Sequence, residues 1–339
     1  MPANHTTGTP MSAPAPVSRP LWQRLLFRRL KFLGALIVLL GLLLGGVYLF
    51  APQWLLDGMT ARQAMVAHVE KHSLQVGDVR WSYYEGGSGP TLVLLHGLDA
   101  DKSVWLPVAS ELTAHFHLLI PDLPGWGESS PVGPDAAVTI EAQAARLRDF
   151  LQALQVQRFM LVGHSMGGAV AGVYAAEYPE HVASLVLIDS YGLKMNENAF
   201  ARAALAGHDP FVPDNREQLA RSLALVFKHP PAIPGRLADV LVQRNQHRRA
   251  FIERSFDALR EPAEYLSVQH RLDQLQLPVL GVWCKDDQVM DISALDSLRN
   301  GLAHAPDIST SVLTGCNHMP QLERPSETAR ILSGFALSH

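Results

Sequence analysis

Cysteine is nearly absent: Cys284 and Cys316 are the only two in 339 residues. Two isolated thiols cannot supply the ligand set of a structural zinc site. Neither sign of charge dominates, with a net charge of −4 and 18 % charged residues. That leaves no global basic field to attract nucleic acid. No segment recurs at a period of about 20–50 residues, which excludes a solenoid or propeller. The longest absence is of charge itself, because no Asp, Glu, Lys or Arg lies between Phe32 and Leu56. A bilayer core is crossed by roughly 20 apolar residues in a helix, since lipid offers backbone groups no partner.

A single transmembrane helix is therefore expected over residues 30–52, after a disordered basic tail over 1–29 whose first twenty residues are rich in Pro, Thr, Ser and Ala. A cleaved signal peptide would share the basic lead. Its apolar run is shorter, however, and Leu49-Phe50-Ala51-Pro52 lacks a small-x-small cleavage pattern. Arg19, Arg24, Arg28, Arg29 and Lys31 precede the span, while only Arg62 and Lys71 follow it closely. The positive-inside rule then puts the N-terminus in the cytoplasm and the rest of the chain on the far, non-cytoplasmic side. Membrane lipid is the expected partner, and a short helix over 53–71 is expected to lie along its surface.

Beyond residue 71 the pattern changes. Leu74–Val76 and Val79–Tyr84 flank Gly77-Asp78, a hairpin signal. Short apolar runs follow at Leu92–Leu95, His117–Ile120, Phe159–Val162, Leu185–Ile188, Val279–Trp283 and Thr310–Leu313, with helical stretches such as Ile140–Leu154 between them. Continuous apolar runs suit parallel strands buried on both faces, so the expected class is α/β with a mostly parallel sheet covered by helices.

Gly163-His164-Ser165-Met166-Gly167 lies between one such run and a helix of small residues. A bare G-x-S-x-G string is common by chance; its position at a strand-to-helix turn is what gives it chemical meaning. There the serine occupies a tight bend that only flanking glycines permit, and the helix N-terminus favours developing negative charge. Ser165 is thus the candidate nucleophile. A serine hydroxyl needs a base, and the base needs an orienting acid. Asp286-Asp287 follows one late strand and His318 follows the last, which gives the order Ser, Asp, His expected of an α/β hydrolase. Either aspartate fits on residue type alone. The Met166 N–H, and the Leu98 N–H in the loop His96-Gly97-Leu98-Asp99, are the candidate oxyanion donors. His96 is expected to order that loop, and Asp122 through Ser129 to form a rigid turn beside the site. No cofactor and no metal are called for.

Taken together these segments resemble the α/β-hydrolase superfamily, and within it the membrane-anchored monoacylglycerol lipase branch with related bacterial lipases. The matching segments are His96-Gly97 through Lys102 and Trp105, Gly163 to Ala176, Trp283–Asp291 and Asn317–Pro325. The resemblance implies an eight-stranded α/β-hydrolase fold with a helical cap, and it assigns the acid to Asp287. It implies a core over 72–190 and 274–339 and a cap over 191–273. Cys284 stands where the family usually has Gly, and Cys316-Asn317 replaces the usual pair before the histidine. In this fold the two cysteines end neighbouring strands, so they are either a disulfide between the triad loops or two small buried thiols.

Cap residues Phe200, Leu205, Phe211, Leu223, Leu225, Val226, Phe227, Leu237, Val240 and Leu241 are candidates to line an acyl-chain pocket. Arg244, His247, Arg248 and Arg249 read as a solvated face rather than a head-group site. The expected activity is hydrolysis of carboxylic esters, with acylglycerols or lysophospholipids as substrates, through an acyl-enzyme on Ser165. The same triad also serves C–C bond hydrolases, peptidases and perhydrolases; a catalytically silent binding protein is the remote alternative.

Overall fold

The computed structural model describes residues 21–339. Residues 1–20 of the expected tail, Arg19 included, lie outside the described residues, while 21–29 are helical rather than disordered. The described residues divide into two units, one ending at Pro52 and the other Gln53–His339. In the first, a helix α1 (Leu21–Phe50) of 30 residues is long and apolar enough to cross a membrane. At about 1.5 Å per residue it extends roughly 45 Å. It starts ahead of the apolar run because Arg28, Arg29 and Lys31 are themselves good helix formers. It stops at Phe50 because Pro52 cannot continue a helix and instead opens the next one, α2 (Pro52–Val66).

The surface helix expected over 53–71 needs correction. Helix α2 ends at Val66, His68 takes a positive φ of 53°, and Val69–Val76 is the first strand, β1. Ala64 and Ala67 are buried, and the Thr113 hydroxyl donates to the Ala67 carbonyl at 3.0 Å. This helix is therefore packed on the catalytic body through its small residues.

The remaining strands are β2 (Val79–Gly86), β3 (Thr91–Leu95), β4 (His117–Pro121), β5 (Phe159–His164), β6 (Val182–Ile188), β7 (Val279–Cys284) and β8 (Ile308–Leu313). They form one sheet in the order β1-β2-β4-β3-β5-β6-β7-β8. Only β2 runs against its neighbours; from β4 onward every pairing is parallel.

Alternation along each strand sends side chains to two cores. Val93, Leu95, Leu161, Leu185 and Leu187 meet helices α4 (Ile140–Ala153), α5 (Met166–Glu177) and α10 (Ala294–Gly301). Leu92, Leu94, Val162, Val186 and Ile188 meet α3 (Leu106–Leu112) and α12 (Pro325–Ser338). Helices α6 (Ala199–Leu205), α7 (Arg216–Val226), α8 (Gly235–Leu259) and α9 (Pro262–Tyr265) fill the stretch between β6 and β7, and a short α11 (Pro320–Glu323) precedes α12.

The chain leaves β3 for β4 on one side, then returns past β3 to β5 on the other. Such a reversal opens a crevice beyond the carboxyl ends of the strands, where open α/β sheets bind ligands. Register brings those ends level: Leu95 lies beside Gly163, Ile188 beside Val282, and Cys284 beside Leu313.

Candidate active site

Ser165 stands between β5 and α5 with φ 53° and ψ −122°, a strained geometry for any residue but glycine. Surrounding backbone holds it there. Its N–H donates to the Ile188 carbonyl at 3.0 Å, and its carbonyl accepts from Gly168 and Tyr191. Gly163 and Gly167 permit the turn sterically. A Cβ at Gly163 would lie 2.1 Å from the Gly167 carbonyl oxygen, and one at Gly167 would lie 2.4 Å from that of His96. Either would force strand, helix and loop apart.

His318 follows β8 and is buried, as is the Asp287 carboxylate after β7. The ring Nδ1–H of His318 donates to Asp287 Oδ2 at 2.8 Å. Asp287 Oδ1 accepts from the Val289 and Met290 amides at 2.7 and 3.0 Å, so its orientation is set by backbone. Asp286, the other aspartate, points away and pairs with the cap residue Lys228, whose hydrogen bond holds its carboxyl below the usual range. His164 donates from Nε2 to the His318 carbonyl at 2.6 Å. Burial, and then His318, push His164 far below the ordinary histidine value, so it is neutral.

Ser165, His318, Leu98 and Met166 all line one cavity of about 450 Å3. Neither the Leu98 nor the Met166 amide is taken by a backbone hydrogen bond among the described residues. The loop that carries Leu98 is close-packed on Ser165, since a Cβ at Gly97 would sit 3.0 Å from the Ser165 Cβ. His96 holds the loop as expected: its Nδ1–H donates to the Gly97 carbonyl, and its Nε2 accepts from the Leu123 N–H at 3.0 Å. Lys102 adds a buried ionic clasp. Its Nζ donates to Asp122 at 2.6 Å and to Glu128 at 2.7 Å, which ties the loop to the turn after β4.

The cavity wall is apolar and comes mostly from α6–α8 and their connections. Phe200, Leu205, Phe211, Leu223, Val226, Phe227 and Leu241 line it as expected. Leu225, Leu237 and Val240 do not; Leu237 is buried elsewhere, and Leu225 packs against the main core. The basic face is solvated as expected at Arg244 and His247, which are exposed, and its arginines are also ion-paired. Arg244 pairs with Asp57 of α2, Arg249 with Asp214 and Glu253, and Arg248 with Asp99 while stacked over Trp126. Arg244 and Arg248 thus reach from α8 to the body, while the pairs of Arg249 stay within the cap.

Asp99, beside Leu98 and itself at φ 51°, accepts from Arg248 at 3.2 Å and Asn245 at 2.8 Å. Burial nevertheless pushes its carboxyl up to about 7, with Arg248 opposing. The unfolded chain releases this proton near the ordinary aspartate value. Between the two values the folded state holds the extra proton, so the group's contribution to stability falls as pH rises through about 4 to 7. Asp99→Asn removes that slope. Thermal melting should show the variant gaining a few degrees on the wild type between about pH 5 and pH 8. A pH-independent difference would contradict it.

The two cysteines are joined as a disulfide, Cys284 to Cys316, with Cα atoms 5.6 Å apart. It ties the loop of Asp287 to the loop of His318. Closing a loop with a sequence separation of 32 residues is worth about 3–4 kcal/mol in the chain-entropy account. The double variant Cys284→Ala/Cys316→Ala should therefore melt on the order of 10 °C lower. An unchanged Tm would rule the bridge out as a stabiliser.

Sequence reasoning passed over Asp189, Lys102 as a clasp, and the Asp99 link to α8. Only Lys102 left a signal, as part of a matched segment; the other contacts join residues distant in sequence.

The family profile described as alpha/beta hydrolase fold matches residues 90–232. The chain is 33 % identical over 267 residues to monoacylglycerol lipase ABHD6 from Homo sapiens, covering 74 % of this chain and 77 % of that protein. It is 31 % identical over 277 residues to Lipase 1 from Psychrobacter immobilis, covering 79 % and 83 % of the two chains. Among solved structures, a membrane phospholipase A described as a bacterial virulence factor superposes with a TM-score of 0.80 at 35 % identity. That match covers 91 % of this chain and 98 % of the other. This chain belongs to the α/β-hydrolase superfamily, in the group of carboxylic ester hydrolases that contains these lipases.

Proposed function

We propose that this protein is a membrane-anchored serine hydrolase that cleaves the carboxylic ester of single-chain acyl lipids, of the monoacylglycerol or lysophospholipid type. One observation carries the reading: Ser165, His318 and two unused amides open onto a cavity walled by apolar cap residues. Ser165 Oγ attacks the ester carbonyl while His318, oriented by Asp287, takes its proton. The Leu98 and Met166 amides receive the oxyanion. His318 then returns the proton to the departing alcohol, and water resolves the acyl-enzyme by the same route. The acyl chain occupies the apolar cavity, whose size is within the usual range for small-molecule sites.

The lipid character of the substrate draws support from three sides. Helix α1 would hold the enzyme beside amphiphilic substrate. The relatives include a monoacylglycerol lipase and a membrane phospholipase A. The disulfide suits an oxidising compartment, in accord with the positive-inside orientation that faces the catalytic unit away from the cytoplasm.

An ester panel of graded acyl length, run on enzyme with and without residues 1–52, tests this. Both forms should hydrolyse soluble short-chain esters, and the full chain should be favoured on monoacylglycerol in vesicles. No hydrolysis of any acyl ester by either form would overturn the proposal.

A further inference from the structure

Asp189 follows β6, directly behind Asp287 and His318, and is wholly buried. It takes a positive φ of 42°, a conformation that is strained for a non-glycine residue. Backbone bonds fix it: its N–H donates to the Val282 carbonyl at 2.9 Å, and its Oδ1 accepts from the Cys284 N–H at 2.9 Å. Its Oδ2 is buried and meets no N–H or O–H donor. A carboxyl oxygen of Asp189 and ring nitrogens of His164 and His318 lie within 4.8 Å of one another. His318 in turn holds Asp287 at 2.8 Å, and the charge of Asp287 acts on the Asp189 carboxyl.

The groups facing Asp189 leave little room for a second charge. Asp287 comes from the loop after β7 and Glu323 from α11, and both are acids. His164 at the end of β5 is neutral, so it brings no cation. Burial first, and then the charge on Asp287, push the Asp189 carboxyl well above the usual carboxylate range. Two buried carboxylates in contact do not both ionise.

We propose that Asp189 is a positioning residue that stays protonated and donates its Oδ2–H to Asp287, so that the two carboxyls share one negative charge opposite His318. The proposal rests on the triad reading above. This bond then joins the three that Asp287 accepts from Val289, Met290 and His318. A carboxylate has about four lone-pair sites, so the acid is filled and cannot swing. The added donor also disperses its charge, which moderates how strongly it holds the imidazolium form of His318.

The pH profile of kcat/KM on a soluble short-chain ester reads this directly, because its acid limb reports the free-enzyme base. Asp189→Ala removes the donor. Its acid limb should move up by about 0.5–1 unit, and kcat should fall roughly tenfold with KM little changed. Asp189→Asn is the rescue variant, since its amide can accept from Cys284 and donate to Asp287 at once. It should return the limb to within about 0.3 unit of the wild type and recover most of kcat.

An ionised Asp189 would give the opposite result. Asparagine would then remove a charge next to His318 and drop the limb by on the order of a unit, which overturns the proposal. An alanine variant with a wild-type limb and kcat would overturn it too. Should alanine not fold, as judged by circular dichroism, the direction of the asparagine limb decides alone. Failure of the triad itself would show separately, as turnover surviving His318→Gln.

Discussion

Ser165→Ala is expected to lower kcat for ester hydrolysis by about a million-fold while leaving the fold intact. The size follows from the role proposed: with no nucleophile the acyl-enzyme path closes, and only the Leu98 and Met166 amides with substrate binding remain to assist water. Stability should hardly move. Alanine meets the same strain at φ 53°, and the backbone bonds from Ser165 to Ile188, Gly168 and Tyr191 do not involve the hydroxyl. Measured melting within about 0.5 kcal/mol of wild type, with turnover gone, is the expected pair of results. Retained turnover would assign the nucleophile elsewhere.

Asp287→Asn should cost about ten-thousand-fold in kcat, and Asp286→Asn at most a few-fold. The two positions adjoin, yet their surroundings differ in kind. Asp287 is buried, fixed by two amides, and holds the Nδ1–H of His318. An asparagine there offers the ring either an N–H or a weaker oxygen, so the base loses the tautomer that leaves Nε2 free to accept a proton. Asp286 is exposed and paired with Lys228, and exposed pairs contribute about 0–1 kcal/mol. Steady-state kinetics on both variants checks the contrast. Equal losses would remove the distinction on which the acid assignment rests.

Much of this site was legible in the sequence, for identifiable reasons. The strand-to-helix turn at Ser165 needs glycines at fixed offsets, so its sterics are written in the residues themselves. The parallel strands read as apolar runs because they are covered on both faces. The choice of Asp287 over Asp286 came from family resemblance, since residue type did not separate them.

Where the reading slipped, the deciding contacts were either long-range or masked locally. Helix α2 stops short of the expected residue 71 because His68 takes φ 53°, a left-handed position that usually advertises itself with glycine. The ion pairs of the α8 arginines leave no local signal because their partners Asp57 and Asp99 lie well over a hundred residues away. Asp189 looked like the first loop residue after a strand. Only the fold shows that its carboxyl is wholly buried with one oxygen unpartnered.

The central claim is a covalent acyl intermediate on Ser165. The direct measurement is mass spectrometry of acid-quenched full-length enzyme during turnover of a slow acyl ester, followed by peptide mapping. The account predicts one added acyl mass per chain, on the peptide containing Ser165, and none in Ser165→Ala. An acyl group mapped to another residue, or turnover of the ester with no adduct under conditions that trap one, would contradict it.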